Sequence, residues 1–313
     1  MMEMEELIEK LEERNGEYNH LLYSREYSRG VALSEYIHAM RICDLKKIKS
    51  LLTYKYACKK SKKYSQKKND NVMIGNINNN YPIYNYRDAR IVVYTCIMGE
   101  YDDIKEPIWK DDNIQYICFT NNKKLLHKKQ TKWIIKDIPN SVKYTNYTLV
   151  NRYIKMHPHE FFIGYDYAIY IDANVKVCSY VGKYIDGICD KTGLAMYKHS
   201  ARNSIYDEAM VCKYYGKGNR KLIDKQIKRY KNEGFPYDYG LYEATIIIID
   251  LKNNISKNIL EDWWSEFIAN GSLRDQLSLP YVLWKKKKNF SDVGILGENI
   301  FEDKKISIYQ HNK

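Results

Sequence analysis

From Arg90 onward, apolar residues gather into short dense runs separated by stretches of helical period. Ile91-Val92-Val93-Tyr94-Thr95-Cys96 and Ile114-Gln115-Tyr116-Ile117-Cys118-Phe119-Thr120 are mostly β-branched or aromatic, the composition of strands buried on both faces. Trp133-Ile134-Ile135 predicts a third strand and residues 167–177 a fourth; 193–199 and 242–250 predict two more. Helices are expected over 145–157, ending near Pro158, then over 205–215, 222–232, a segment containing Trp263-Trp264, and 273–284. Strands separated by helices imply an α/β fold, a mostly parallel sheet flanked by helices.

The first part of the chain differs. Leu7, Leu11, Tyr18, Leu21 and Leu22, then Ile37, Met40, Ile42, Leu45, Ile48, Leu51 and Leu52, fall near helical spacing, predicting an N-terminal helical extension over 1–56. Such helices suit a cap, a homodimer contact or a membrane surface. Residues 57–88 are rich in Lys, Asn, Ser and Tyr and read as a linker before a domain over 89–313.

Composition narrows the class. The chain has 313 residues, 44% of them hydrophobic, including 31 Tyr, enough for an ordinary globular core. No apolar stretch is long enough for a transmembrane helix, and the acidic start Met1-Met2-Glu3-Met4-Glu5-Glu6 predicts no signal peptide. Seven scattered Cys without a CxxC pair read as reduced thiols, so a cytoplasmic protein is expected. Of the formal +12 charge, seven Lys fall between Lys55 and Lys68 with no acid among them. A solvated linker explains this tract first; peripheral contact with the inner face of an anionic membrane is the functional alternative. Lys without clustered Arg excludes a base-reading nucleic-acid protein.

The candidate chemistry centres on Tyr167 to Val177, where an apolar run presents Asp172 and Asn174 and then turns apolar again. On an extended chain both would face the same way, two oxygen ligands for a hard cation and through it a diphosphate; an Asx turn is the plainer alternative. The turn after the first strand, with Thr95, Cys96, Gly99, Tyr101 and then Asp102, lies where an open α/β sheet holds a nucleotide. It has one Gly and no Lys or Arg, unlike the basic Gly-rich loop of a nucleotidyltransferase. Arg152 and Lys155 share a helix face and in this fold are expected to reach the diphosphate, and Lys198, His199 and Arg202 form a basic cluster suited to phosphate or an acidic sugar; solvated surface charge is the alternative for both. Glu243 stands at the mouth of an apolar run, and Asp275 opens a predicted helix where capping and the dipole would keep it ionised. Two carboxylates in different settings suit acid/base work. His157-Pro158-His159 reads as a helix end, and core packing accounts for at least two of Trp263, Trp264 and Trp284.

The order of pieces from Ile91 to His311 resembles the nucleotide-sugar-dependent glycosyltransferases of GT-A (Rossmann-related) architecture. Within them it is similar to the glycosyltransferase domain named after plant mucilage-related (MUCI-type) proteins, which also occurs in bacteria. The stretches that carry the likeness are Val93 to Asp102, Tyr116 to Asn121, Asn151-Arg152-Tyr153-Ile154-Lys155, Ile169 to Asn174, Lys198-His199 with Arg202 and Ile205 to Glu208, and Arg274-Asp275-Gln276. A more distant likeness is to glycogenin-like enzymes, with Asp172/Asn174 at an Asp-x-Asp position, Glu243-Ala244-Thr245 at an Asn-Ala-Gly position, Asp275-Gln276, and a late His311.

The resemblance implies a nucleoside-diphosphate sugar donor, a UDP-sugar first among them, with a glycan or lipid-linked acceptor. It implies a divalent cation, Mn²⁺ or Mg²⁺, on Asp172, Asn174 and His311. Asn174 offers one neutral oxygen where the pattern has a second carboxylate, and Glu243 stands where it has Asn. Asp275, Glu243 and Gln276 would act at the transfer step, either carboxylate serving as base if transfer inverts. A non-catalytic glycan- or nucleotide-binding module on the same scaffold is the reading from a different class.

Overall fold

A computed structural model describes residues 88–108 and 111–309. The expected helical extension over 1–56, its homodimer contact, nearly all of the linker over 57–88, and His311 lie outside the described residues.

The dense apolar runs become strands: β1 (Ile91–Ile97), β2 (Ile114–Thr120), β3 (Ile134–Asp137), β4 (Tyr167–Ile171), β6 (Leu194–Lys198), β7 (Tyr242–Asp250) and β8 (Gly294–Ile295). They form one sheet in the order β3-β2-β1-β4-β7-β6-β8. β7 runs against both neighbours and every other pair is parallel. Two further short strands, β5 (Val175–Val177) and β9 (Ile306–Ile308), pair antiparallel in a small second sheet. The helices are α1 (Lys123–Leu126), α2 (Tyr147–Met156), α3 (Pro158–Phe161), α4 (Ile205–Tyr214), α5 (Arg220–Asn232), α6 (Asn254–Asn270) and α7 (Leu279–Lys285). The mostly parallel α/β sheet flanked by helices is thus the observed class.

Local chemistry sets the boundaries. Asn146, Ser204, Asn219 and Asn253 each place a side-chain oxygen on the first free N–H groups of α2, α4, α5 and α6. Pro158 ends α2 as expected and then opens α3, because a residue without an N–H is tolerated in a first turn. Two expectations need correction. Residues 167–177 are two strands parted by a turn, not one. Residues 273–284 are a 3₁₀ turn, Asp275–Leu277, followed by α7, because Pro280 fits only the first turn of a helix.

Both faces of the sheet are buried. Val92, Tyr94, Cys96, Phe119, Tyr170, Ile247 and Ile249 pack with residues of α2, α6 and α7, including Trp263, which has no exposed surface. Ile91, Val93, Tyr116, Ile169, Ile171, Ile246 and Ile248 pack on the other side against Leu125 of α1, the 3₁₀ turn Gly182–Gly187 and the small sheet. This two-sided burial is why the strands read as continuous apolar runs rather than alternating ones. Trp263 and Trp264 are core residues, and Trp284 packs at the edge of a third cluster around Tyr230 and Tyr281.

The edge strand β8 approaches the 3₁₀ turn so closely that a methyl group on Gly294 would lie 1.7 Å from the Gly187 carbonyl oxygen. Gly294→Ala should therefore force the strand away at a cost of about 2 kcal/mol. In a thermal scan the midpoint should fall by roughly 4–8 °C, and an unchanged midpoint would contradict this packing.

Candidate active site

The carboxyl ends of β1 and β4 lie side by side, since these strands are parallel neighbours. After β1 the chain turns at Gly99, whose φ of +60° suits glycine. Its N–H donates to Asn121 Oδ1 at 2.7 Å, and Asn122 Nδ2 donates to its carbonyl at 2.9 Å, so the end of β2 holds the turn. Asn151 of α2 donates to the Cys96 carbonyl at 2.6 Å. Thr95, Cys96 and Asp102 are buried while Tyr101 is half exposed. Burial raises the Tyr101 hydroxyl pKa, as do Asp102 and Asp172, against Arg152 and Arg274; this ring is within electrostatic range of the groups below.

At the end of β4 the backbone turns instead of continuing. Asp172 N–H donates to Thr245 O of β7 at 2.9 Å, and Val175 N–H closes back on Asp172 O at 3.0 Å. The same-face argument for an extended chain therefore does not apply to Asp172 and Asn174; tertiary contacts orient each. Tyr170 donates its hydroxyl to Asp172 Oδ1 at 2.8 Å. Asn174 donates Nδ2 to the Tyr309 carbonyl at 2.7 Å, and Tyr309 N–H returns a bond to Asn174 O at 2.9 Å. Asn174 Oδ1 is buried and has no hydrogen-bond partner among the described residues.

Arg152 and Lys155, one turn apart on α2, converge on a single oxygen. Lys155 Nζ donates to Asp275 Oδ2 at 2.8 Å and Arg152 Nε lies 2.9 Å from it, an ion pair whose N–H is poorly aligned for a hydrogen bond. Lys155 is fully buried and its ammonium sits over the Tyr170 ring, 4.8 Å from the centroid. The expected reach of Lys155 to a diphosphate is thus corrected: its charge is committed to Asp275. Burial alone would raise the Asp275 pKa, but Arg152, Lys155 and Arg274 overcome it and hold the carboxyl well below the carboxylate range. The expected helix cap is absent, since Asp275 makes no capping bond. A carboxylate held so firmly anionic is a poor base, so it anchors charge and does not fit deprotonation of an acceptor.

A second cluster lies where β6 ends beside the start of β7. The register between these strands shifts at Met196/Tyr197, so that Tyr197 stands opposite Glu243 and His199 N–H reaches Leu241 O at 2.8 Å. His199 Nδ1 accepts the N–H groups of Ala201 and Arg202 at 3.1 and 3.2 Å, and Arg202 Nη2, a donor, lies 3.0 Å from the other ring nitrogen, Nε2. That nitrogen is 3.8 Å from carboxylate oxygens of both Glu208 and Glu243. Burial lowers the His199 pKa, keeping the ring neutral near pH 7. Arg202 Nε donates to Glu208 at 2.6 Å, and Arg274 approaches the same carboxylate at 3.7 Å. Lys198 pairs with Glu298. The expected basic cluster is therefore a largely compensated network. Glu243 also accepts the Thr245 hydroxyl at 3.0 Å, and Gln276 donates to Tyr242 O at 2.8 Å.

Glu208, Arg274 and Tyr170 belong to this site; each lies in a stretch that carries the family likeness, but no local pattern assigned it a role. A metal cluster of three or more His, Cys, Asp or Glu is absent among the described residues.

A family model described as TOD1/MUCI70, glycosyltransferase-like domain, matches residues 58–308. The chain belongs to this family. The family's description supports glycosyl transfer as the general activity class. Among solved structures, mouse xyloside xylosyltransferase 1 in its apo form is similar at 9% identity, with a TM-score of 0.38, over 64% of this chain and 83% of that one. Galactosyltransferase LgtC in complex with donor and acceptor sugar analogs is similar at 12%, TM-score 0.40, over 70% and 86%. The apo bifunctional glycosyltransferase WbbM is similar at 15%, TM-score 0.38, over 69% and 40%. Comparison with curated proteins gives no match.

Asp275→Asn would leave buried Lys155 and part-buried Arg152 without their counter-charge and should cost about 3–5 kcal/mol, with Asp275→Asn/Lys155→Met recovering part of it in a double-mutant cycle of chemical denaturation. Additive losses would separate the two residues. The depressed Asp275 pKa stabilises the fold fully above the unfolded carboxyl value, about 3.9, and that contribution is lost as pH falls from there toward the folded value. Asp275→Asn should accordingly flatten the acid limb of the stability–pH curve below about pH 4, and parallel curves for the two proteins would contradict the assignment.

Proposed function

We propose that this domain transfers a sugar from a nucleoside-diphosphate sugar, a UDP-sugar first, to a glycan or lipid-linked acceptor. The observation that carries the reading is the part-buried Arg152, a positive charge left over beside the Lys155–Asp275 pair, near Asp172 at the carboxyl ends of the parallel strands. Open α/β sheets hold ligands at that edge, and a leaving diphosphate needs fixed positive charge there. Arg152 stays cationic, since Asp275, Tyr170 and Asp172 outweigh the burial that opposes its charge. The turn Thr95–Tyr101 with Asp102 would hold the nucleoside.

Asp172 and Asn174 fit a hard divalent cation, Mn²⁺ or Mg²⁺. The Tyr309 carbonyl occupies the Asn174 nitrogen, which leaves a buried amide oxygen without a partner as the atom to offer. When bound, such an ion would neutralise charge on the diphosphate. One carboxylate and one neutral oxygen form a weaker pair than two carboxylates. Tyr309 is tied to Asn174, two positions before His311, the third expected ligand. For the acceptor, Glu243 is the better-placed carboxylate: it is less buried than Asp275 and faces His199, while Gln276 and Arg202 would orient the sugars.

A panel of nucleotide sugars with Mn²⁺ or Mg²⁺, scored by thermal shift and nucleotide release, tests this reading. One nucleoside diphosphate should stabilise the protein in a cation-dependent way, its sugar conjugate should turn over, and Asp172→Ala should lower turnover by about 10²-fold or more without unfolding the protein. Binding without turnover, indifferent to Asp172→Ala, would favour the non-catalytic module.

A further inference from the structure

The strongest unexplained charge among the described residues lies on α5, which contributes no residue to the Asp172–Asp275 site. Residues 213–233 hold eight Lys or Arg against two acids. Ile223, Gln226 and Tyr230 turn one face of α5 into the core. Lys221, Lys225 and Lys228, at the complementary helical spacing, stand fully outward, and Lys217 and Lys231 extend the stripe at either end. Among the described residues, none of these five has a carboxylate within 4.0 Å, whereas Lys213 is paired with Asp224 and Arg229 with Glu233 and Glu266. Among the described residues this cationic stripe, about 20 Å long, has no ion pair tying it to the fold.

Its surroundings indicate what it meets. Tyr214 and Tyr215, 40% and 50% exposed, stand just before Lys217. Exposed tyrosine beside lysine is the combination that settles at a bilayer interface, the ring at headgroup level and the ammonium on anionic lipid. Lysine as a point charge, on a convex helix rather than in a groove, suits a diffuse anionic plane better than a bidentate ligand. The turn that starts the stripe is also seated beside the site: a methyl group on Gly218 would lie 2.6 Å from the Ser272 carbonyl and 3.0 Å from Arg274 Cγ, next to Asp275.

We infer that the outer face of α5, with Tyr214 and Tyr215, docks this protein on an anionic lipid bilayer. The site around Arg274 and Asp275 is then brought toward the headgroups, where a lipid-linked acceptor would be presented. The contact does not depend on the sugar-transfer reading, and its test measures something different.

The full-length chain is sedimented with vesicles of phosphatidylcholine alone or of phosphatidylcholine with phosphatidylglycerol. The wild type should pellet only with the anionic vesicles, and less so as salt rises. Lys221→Glu/Lys225→Glu/Lys228→Glu should weaken that binding at least about tenfold, each lysine contributing about fivefold. Its thermal midpoint and its reaction with soluble donor should stay unchanged. Tyr214→Ala/Tyr215→Ala should weaken binding too, and a Lys→Gln triple replaces the reversal if that variant unfolds. Undiminished pelleting of the lysine variant would assign the contact to the 55–68 tract and overturn the inference. So would absence of pelleting, or retention on a soluble anionic polysaccharide without vesicle binding.

Discussion

One carboxylate oxygen, Asp275 Oδ2, holds the centre of this protein together. It receives Lys155 and Arg152 from α2, and its own backbone carbonyl accepts the indole N–H of Trp263 from α6 at 2.8 Å. Below it, the Tyr170 ring of β4 carries the Lys155 ammonium and passes a hydroxyl to Asp172. A helix, a second helix and a 3₁₀ turn thus meet at a single residue, and a strand joins them through Lys155. Taking such groups out of water is costly, and a buried ion pair seldom adds much net stability over an apolar core. Its effect is to allow only one arrangement of its neighbours. That is the requirement of a site that must present charge at a defined place.

The rest of the site follows from how strands end. β7, antiparallel between two parallel neighbours, delivers its first residues to the edge where β4 and β6 deliver their last. The register shift opposite Met196/Tyr197 lets Glu243 face His199 instead of continuing the regular ladder. The Asp-Ala-Asn turn is held from outside by the last described residues, through Tyr309 and the β5–β9 pair. Residues far apart in sequence therefore share one set of constraints. The Arg152–Lys155–Asp275 group, the Asp172–Asn174 turn and a partly exposed acid arrive at the same edge by three routes.

Much of the fold was legible in the chain. β2 and β7 were read with their observed ends, because both sheet faces are buried and the runs are uninterrupted. Pro158 was read as a stop, but its capacity to start α3 was not, since that depends on what packs after it. For Asp172 and Asn174 the sequence leaves both an extended pair and a turn open, and the structure has a turn. Lys155 and Arg152 were paired correctly on one helix face, but their partner lies 120 residues away from Lys155, beyond any local pattern.

The sequence by itself determined six of the seven strands of the large sheet, their burial, and the residue types that gather at their ends, but not β8, β9 or the break that separates β4 from β5. Those follow from local composition and periodicity, which act over a few residues. Tertiary structure alone decided the ionisation and use of those residues. Asp275 is an anchored anion rather than a helix cap, Lys198, His199 and Arg202 are compensated rather than an open basic patch, and Glu208 and Arg274 enter the site. The reason is physical: a side chain's charge state and reach depend on burial and on the sign of its neighbours, and those neighbours come from distant parts of the chain.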